Sequence, residues 1–264
     1  MEIRVLLIGD IVGKPGREIV ARLLPDFVAE HDIHFVLANG ENAAQGSGIT
    51  PNLFRELTRA GVDAVTLGDH SWRRKEALPL IEGEPRALRP HNYPPESLGG
   101  GVGSYETSNG FSLRVVTVLG RIFMPPVDCP FRTVDDVLAR MGQEDRLVFV
   151  EIHAEATSEK IALGWKLDGR VSCVFGTHTH IPTADERVLP KGTAYITDLG
   201  MTGPYDSVIG RDKDAVLHKF ETAMHAPFNV ASGDVRLCGA TVTIDSGTGR
   251  AISIERVELR DGGR

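Results

Sequence analysis

What most restricts the fold of this chain is a unit met three times in its first third: an apolar run, a glycine-bearing polar loop, then a stretch with helical spacing. The first unit opens with Ile3 to Ile8. It continues from about Arg17 to Glu30, where Ile19, Val20, Leu23, Leu24 and Phe27 recur along one helical face. The second joins Phe35 to Ala38, a Gly/Asn-rich loop from Gly40 to Gly48, and a helix opened by Thr50 and Pro51, which supply an N-cap and a fixed first-turn φ. The third joins Val62 to Leu67, a loop through Gly68 to Trp72, and a helix near Lys75 to Ile81. Strands that alternate with helices this way predict an α/β domain whose first strands are parallel or mixed.

The rhythm then changes. Gly99, Gly100, Gly101 and Gly103 precede an alternating strand, Ser112 to Leu119, and Pro125, Pro126 and Pro130 punctuate the approach to a helix from Val134 to Met141. The region 99–131 reads as a connection or a small lid. Leu147 to Ile152, Val171 to Phe175 and Ala194 to Thr197 read as strands, and Glu159 to Leu167 as a helix. Val235 to Ile244 and Ile252 to Leu259 form a hairpin around Ser246-Gly247-Thr248-Gly249. No repeat or linker divides the chain, so a single layered domain over residues 1–264, sheet inside and helices outside, is expected.

Composition narrows the functional classes. The 29 Lys and Arg against 36 Asp and Glu leave a net charge of −7, which argues against a stable nucleic-acid complex. No tract is apolar for the roughly 18 residues of a membrane helix, and no signal-peptide pattern opens the chain, so a cytoplasmic protein away from membranes is expected. Cys129, Cys173 and Cys238 are widely spaced and read as small buried apolar residues, not as a disulfide framework or thiolate metal site.

The candidate chemistry lies at the strand ends, the edge where open α/β sheets bind ligands. Gly9-Asp10, Gly40-Glu41-Asn42, Gly68-Asp69-His70, Ile152-His153 and Gly176-Thr177-His178-Thr179-His180 all fall there. Asp10, Glu41, Asn42, Asp69, His153, His178 and His180 offer carboxylate, amide and imidazole donors, a set suited to Mn, Fe, Mg or Zn. They are too many for one tetrahedral ion. Two cations sharing a bridging carboxylate would clamp a phosphoryl group, activate a shared water and offset the mutual repulsion of three carboxylates.

Taken singly, each residue has an ordinary reading. Gly-Asp after a strand is commonly a turn, Glu41-Asn42 could be an Asx turn, His153 a core histidine, and one member of the His178/His180 pair a surface residue on a strand. Their joint placement favours the site. Other chemistries lack their signatures: Gly9 to Lys14 has neither the spacing nor the Ser/Thr of a phosphate loop, and Ser47 is not in a nucleophile elbow. Arg17 and Arg121 are candidates for meeting substrate charge. Thr157 to Lys160 read as a helix N-terminus.

The motifs as a set resemble the calcineurin-like metallophosphoesterases, whose pattern runs D-x-H, GD, GNH, H, GHxH. Here Val12 stands at the family His, Glu41 at the bridging Asp, and Asp69 at the usual Asn. The runs GDIVGKPGR, NGENAAQG, LGDHSW, HAEATSEK, GTHTH, LPKGTAYITD and MTGPYD resemble the YmdB-like bacterial phosphodiesterases over nearly the whole chain. That resemblance implies a layered α-β-β-α sandwich with mixed sheets. It implies Asp10, Asn42 and His180 on one metal, Asp69, His153 and His178 on a second, Glu41 bridging, and His70 as the acid assisting the leaving oxygen. It further implies iron, with manganese next, a cyclic-nucleotide substrate opened by a metal-bridging hydroxide, and a homo-oligomer. The same centre would serve a phosphomonoesterase or nuclease. A regulatory metal-binding protein without turnover is the rival of a different class.

Overall fold

The computed structural model describes residues 1–142 and 145–261. Among these, fourteen strands and six α-helices form a mixed α/β fold with two sheets. Strands β1 (Glu2–Ile8) and β2 (Asp10–Ile11) precede helix α1 (Gly13–Glu30), β3 (Phe35–Asn39) leads to α2 (Pro51–Arg59), and β4 (Ala64–Thr66) to α3 (Leu78–Gly83). There follow β5 (Ala87–Leu88), β6 (Val102–Glu106), β7 (Ser112–Leu119) and α4 (Pro130–Leu138). Next come β8 (Leu147–His153), α5 (Thr157–Leu167), β9 (Cys173–Thr177), β10 (Arg187–Val188), β11 (Ala194–Ile196) and β12 (Met201–Pro204). Helix α6 (Lys213–Thr222) and the hairpin of β13 (Val235–Asp245) and β14 (Ala251–Arg260) complete the order.

One sheet runs β2-β12-β13-β1-β3-β4-β5 with β14 paired to β13, and the other runs β10-β11-β9-β8-β7-β6. Strands β1, β3, β4 and β5 are mutually parallel, as are β7, β8, β9 and β11, so each sheet presents several carboxyl ends at one edge. Strand β13 lies antiparallel to β1, with Leu7 opposite Ala240, and ties the C-terminal hairpin to the first strand.

Side-chain alternation assigns the faces, because successive residues of a strand point to opposite sides. Ile3, Val5 and Leu7 of β1 join Phe35, Leu37, Phe149, Phe175, Val242 and Ile244 in an apolar cluster drawn from both sheets. Leu6 and Ile8 face the other way, onto Ile19, Val20, Leu24, Phe54 and Leu57 of α1 and α2. In the second sheet Val148, Val150, Ile152 and Val174 pack on Val134, Leu163 and Leu167 of α4 and α5. Each buried large aliphatic side chain contributes about 1.5–3 kcal/mol, so both sheets are anchored from two sides.

Several boundaries differ from the sequence expectation. Helix α1 begins at Gly13, not near Arg17, because Gly13 takes a left-handed φ of 61° and Pro15 is tolerated in the first turn. The stretch near Lys75 divides into a 3-10 turn, Lys75–Ala77, and the short α3. Strand β9 extends to Thr177, leaving His178 and His180 beyond it with φ of 98° and 66°; they are turn residues, not strand-borne. Two parts of the region 99–131 are sheet: β6 pairs antiparallel with β7 at the sheet edge. Cys173 and Cys238 are buried and Cys129 is half-buried.

Candidate metal centre

The carboxyl ends of β1, β3, β4, β8 and β9 converge, and the polar residues that follow them meet there. Asp10 follows β1 after one glycine, and its backbone is pinned by pairing with Met201 and by its N–H donating to Gly200 O at 3.1 Å. Glu41 and Asn42 follow β3, where Asn39 Oδ1 accepts the Glu41 N–H at 3.2 Å. Asp69 and His70 follow β4. His153 ends β8, in register with Thr177 on β9.

Glu41, Asp69, His153 and His178 each bring one donor atom into a group whose members all lie within 4.8 Å of one another. His153 Nε2 stands 3.3 Å from Glu41 Oε1 and 3.2 Å from Asp69 Oδ1. His178 Nδ1 stands 3.1 Å from His153 Nε2 and 3.5 Å from Asp69 Oδ1. A second group adjoins it: His180 Nε2 lies 3.7 Å from Asp10 Oδ1 and 3.2 Å from Asn42 Nδ2, and Asn42 Nδ2 donates to Glu41 Oε1 at 3.1 Å. Glu41 therefore touches both groups. All seven residues named from the strand ends are brought together, and His70 faces them, its Nδ1 2.8 Å from Asn42 Oδ1.

The donor set fits cations on several independent grounds. Oδ1 of Asp10 is buried without a hydrogen-bond partner, a costly state for a carboxylate oxygen. A Cβ built on Gly68 would stand 2.2 Å from His153 Nε2 and 2.4 Å from Glu41 Oε2, so only glycine keeps the space between these donors open. Each of the three imidazoles also has a partner on its outward nitrogen, the arrangement that orients a metal-binding histidine. His153 Nδ1 lies 2.9 Å from Thr177 Oγ1, which donates to Glu151 Oε1 at 2.7 Å. His178 Nε2 lies 3.3 Å from Glu155 Oε2, and His180 Nδ1 lies 2.9 Å from Ile209 O. Asn42 has its amide nitrogen toward the donors; a half-turn of the amide would put its oxygen there, and the two orientations have nearly the same shape.

Electrostatics point the same way. Burial, with Glu41 and Asp198 adding to it, raises the Asp10 carboxyl from 3.8 to about 7. Burial would also raise Glu41, but the charge and hydrogen bond of His153 outweigh it and bring Glu41 down to about 2. Asp69 is likewise driven down, against burial, by hydrogen bonds from His153 and His178. His153, which burial would deprotonate, is instead held protonated by Glu41, Asp69 and Asp10. A proton on His153 thus supplies the positive charge that these carboxylates demand, and a cation would replace it.

Some participants are absent from the strand-end reading. Lys160, fully buried, donates to Asp198 Oδ2 at 2.6 Å and to Thr177 O at 2.7 Å. Asp198 in turn accepts from Thr179 N and Oγ1 at 3.2 and 2.8 Å and from Gly200 N at 2.8 Å, holding the turn that carries both histidines. Asp198 follows β11, so the strand-end rule could have found it. Of the arginines expected to meet substrate, Arg17 is bonded to Glu56 and Ala43 O, and neither it nor Arg121 lines the cleft. That cleft, about 420 Å³, is lined by Glu41, Asn42, His70, His178, His180 and Arg211, with Ile181 and Ile209 at its mouth. A larger hollow of about 690 Å³ lies between the end of α1 and the β13–β14 hairpin and holds none of the clustered donors.

Residues 6–257 match the family model described as YmdB-like protein. A 2′,3′-cyclic-nucleotide 2′-phosphodiesterase of Bacillus subtilis (strain 168) is 46% identical over 258 residues, which cover 98% of this chain and 97% of that protein. A hypothetical protein from Thermus thermophilus superposes with a TM-score of 0.92 at 46% identity, covering 98% of this chain and 99% of the other. A phosphatase of Mycoplasma pneumoniae gives a TM-score of 0.93 at 32% identity, covering 98% and 94%. No described helix is long and apolar enough to cross a membrane. With the match running over nearly its entire length, the chain belongs to the YmdB-like protein family.

Proposed function

We propose that this chain is a metal-dependent phosphodiesterase acting on 2′,3′-cyclic nucleotides. The observation that carries the reading is the convergence of Asp10, Glu41, Asn42, Asp69, His153, His178 and His180 beside a cleft of about 420 Å³, a size that holds a mononucleotide. The activity of the Bacillus subtilis relative supports the substrate class. Asp10, Asn42 and His180 would hold one ion, Asp69, His153 and His178 a second, and Glu41, in contact with both groups, would bridge them. Iron is our first assignment and manganese the second, since carboxylate, amide and imidazole donors suit both. When bound, such a pair would lower the pKa of a coordinated water and neutralise charge on the phosphoryl oxygens.

The chain's own groups do the rest. Thr177, Glu155 and the Ile209 carbonyl fix which nitrogen each imidazole turns inward. His70, whose backbone N–H donates to Glu41 Oε2 at 3.2 Å, is held at the edge of the cluster with its ring about one-quarter exposed. There it gives a proton to the departing ribose oxygen. No nucleophilic side chain is required. A phosphomonoesterase activity of the same centre is the second reading, favoured by the phosphatase among the structural relatives.

The three apolar clusters support an α-β-β-α layering, and the pairing of β1 with β13 supports one domain over the chain. Residues 120–129, beside the end of β8 and carrying the exposed Phe123, are the part of 99–131 suited to a lid. The free thiols suit the cytoplasm, and exposed Leu217, Phe220 and Met224 on and after α6 suit a homo-oligomer. The test is metal analysis of protein purified without added metal, paired with hydrolysis of cyclic nucleotides and a chromogenic diester with and without chelator. Chelator-sensitive ring opening is expected. Absence of hydrolysis of every diester under saturating Mn or Fe would overturn the assignment.

A further inference from the structure

Among the described residues, Arg211 is the only Lys or Arg that lines the cleft beside the donor cluster. Its backbone is fixed by bridges to Val208 and Val230, so the side chain starts from a rigid base. Nη1 donates to Gln45 O at 2.9 Å and to Phe228 O at 3.0 Å, and Nη2 donates to Gly46 O. None of these acceptors carries a charge, and no described carboxylate lies within ion-pair distance. Burial lowers the pKa of the half-buried guanidinium.

Donor arithmetic shows what remains available. A guanidinium carries five N–H groups, and three are spent on these carbonyls. The Nε–H and one Nη2–H are left, and Nε, which has no partner, is not sealed from solvent. Two donors on one planar cation match the oxygens of a phosphoryl group, and a fork already immobilised by its other bonds loses little freedom in meeting them.

The carbonyl contacts also show a second task. Loop 43–47 is held by three arginines: Arg17 takes Ala43 O, Arg74 takes Ala44 O and Ser47 O, and Arg211 takes Gln45 O and Gly46 O. Arg17 has Glu56 as its counter-charge, and neither Arg17 nor Arg74 lines the cleft. Clamping alone therefore accounts for Arg17 and Arg74, but it leaves the spare donors that Arg211 brings to the cleft without a use.

We propose that Arg211 is a substrate-binding residue whose two spare N–H donors take non-bridging oxygens of the phosphoryl group held at the donor cluster. The inference rests on the phosphoester reading above and adds to it the group that recognises the anion. It is tested with Arg211→Met and Arg211→Lys in metal-loaded protein. The readouts are KM and kcat on bis(p-nitrophenyl) phosphate, inorganic phosphate affinity by calorimetry, metal affinity by chelator competition, and the thermal midpoint.

Arg211→Met is expected to raise KM and weaken phosphate binding by roughly 10- to 100-fold while metal affinity changes by less than about twofold. Arg211→Lys, which keeps the charge and loses the fork, should fall between Met and the parent. Unchanged KM and phosphate affinity would overturn the proposal. So would losses that follow a matching loss of metal affinity, since that is the signature of a clamp alone. If the Met variant does not fold, the Lys variant decides by the same criteria. If the parent protein hydrolyses no diester, the enzymatic reading fails, and the phosphate titration still judges Arg211.

Discussion

Replacing Lys160 by Met probes the buried support beneath the histidine turn. In the parent, the ammonium sits 2.6 Å from Asp198 Oδ2 and 2.7 Å from Thr177 O, with both charged side chains at most 1% exposed. Met approximates the volume of the methylene stem, so little cavity is created. The cost is then that of leaving Asp198 buried with only neutral donors, from Thr179 and Gly200, and Thr177 O without its donor. Breaking one side of a buried pair costs about 3–5 kcal/mol. At roughly 2–4 °C per kcal/mol for a chain of this size, the midpoint should fall by roughly 6–20 °C.

The assay is thermal unfolding followed by circular dichroism in excess chelator, so that bound metal does not add its own stabilisation. Removing both charges, with Lys160→Met and Asp198→Asn together, should cost less than the sum of the two single changes, because no orphaned charge is left. Metal affinity of the single variant should also fall, by roughly 10- to 100-fold, as the turn bearing His178 and His180 loosens. A Lys160→Met protein within about 1 kcal/mol of the parent would refute the reasoning, as would strict additivity in the double variant.

His70→Ala is expected to lower kcat by roughly 10²- to 10⁴-fold with metal content unchanged; joint loss of activity and metal, read by elemental analysis, would place His70 among the ligands instead. Metal affinity should rise with pH. Asp10 titrates near pH 7 in the metal-free protein and His153 stays protonated well above its usual range, so both hold protons at pH 6 that a cation must displace. Each proton released makes affinity up to about tenfold stronger per pH unit until its group is deprotonated. Chelator competition across this range, with proton release measured in buffers of different ionisation heat, checks it; affinity independent of pH contradicts the assignment.

Much of the site is legible without coordinates because strand ends are local features. An apolar run that stops at Gly9, Gly40 or Gly68 announces its own end, and the polar residue after it is at the sheet edge whatever the packing. Other elements were hidden by their brevity or composition. Strand β2 has two residues, and β12, Met201–Pro204, contains glycine and proline; only pairing with β13 and β2 makes it a strand. The alternation of His178 and His180 imitates a strand, yet Asp198 draws Thr179 inward and the chain turns through two left-handed histidines.

The sequence by itself determined which segments are strands and helices over most of the chain, and which side chains stand at the carboxyl ends. Hydrophobic period and glycine placement act over a few residues, so they can be read along the chain. Only the tertiary structure decided that Asp10 meets the His178 N–H, that Glu41 stands between two groups of donors, that Lys160 underlies the histidine turn, and that Arg211 faces the cleft. These contacts join residues far apart in sequence, 168 positions in the case of Asp10 and His178. They arise from packing two sheets against each other, which no local pattern encodes.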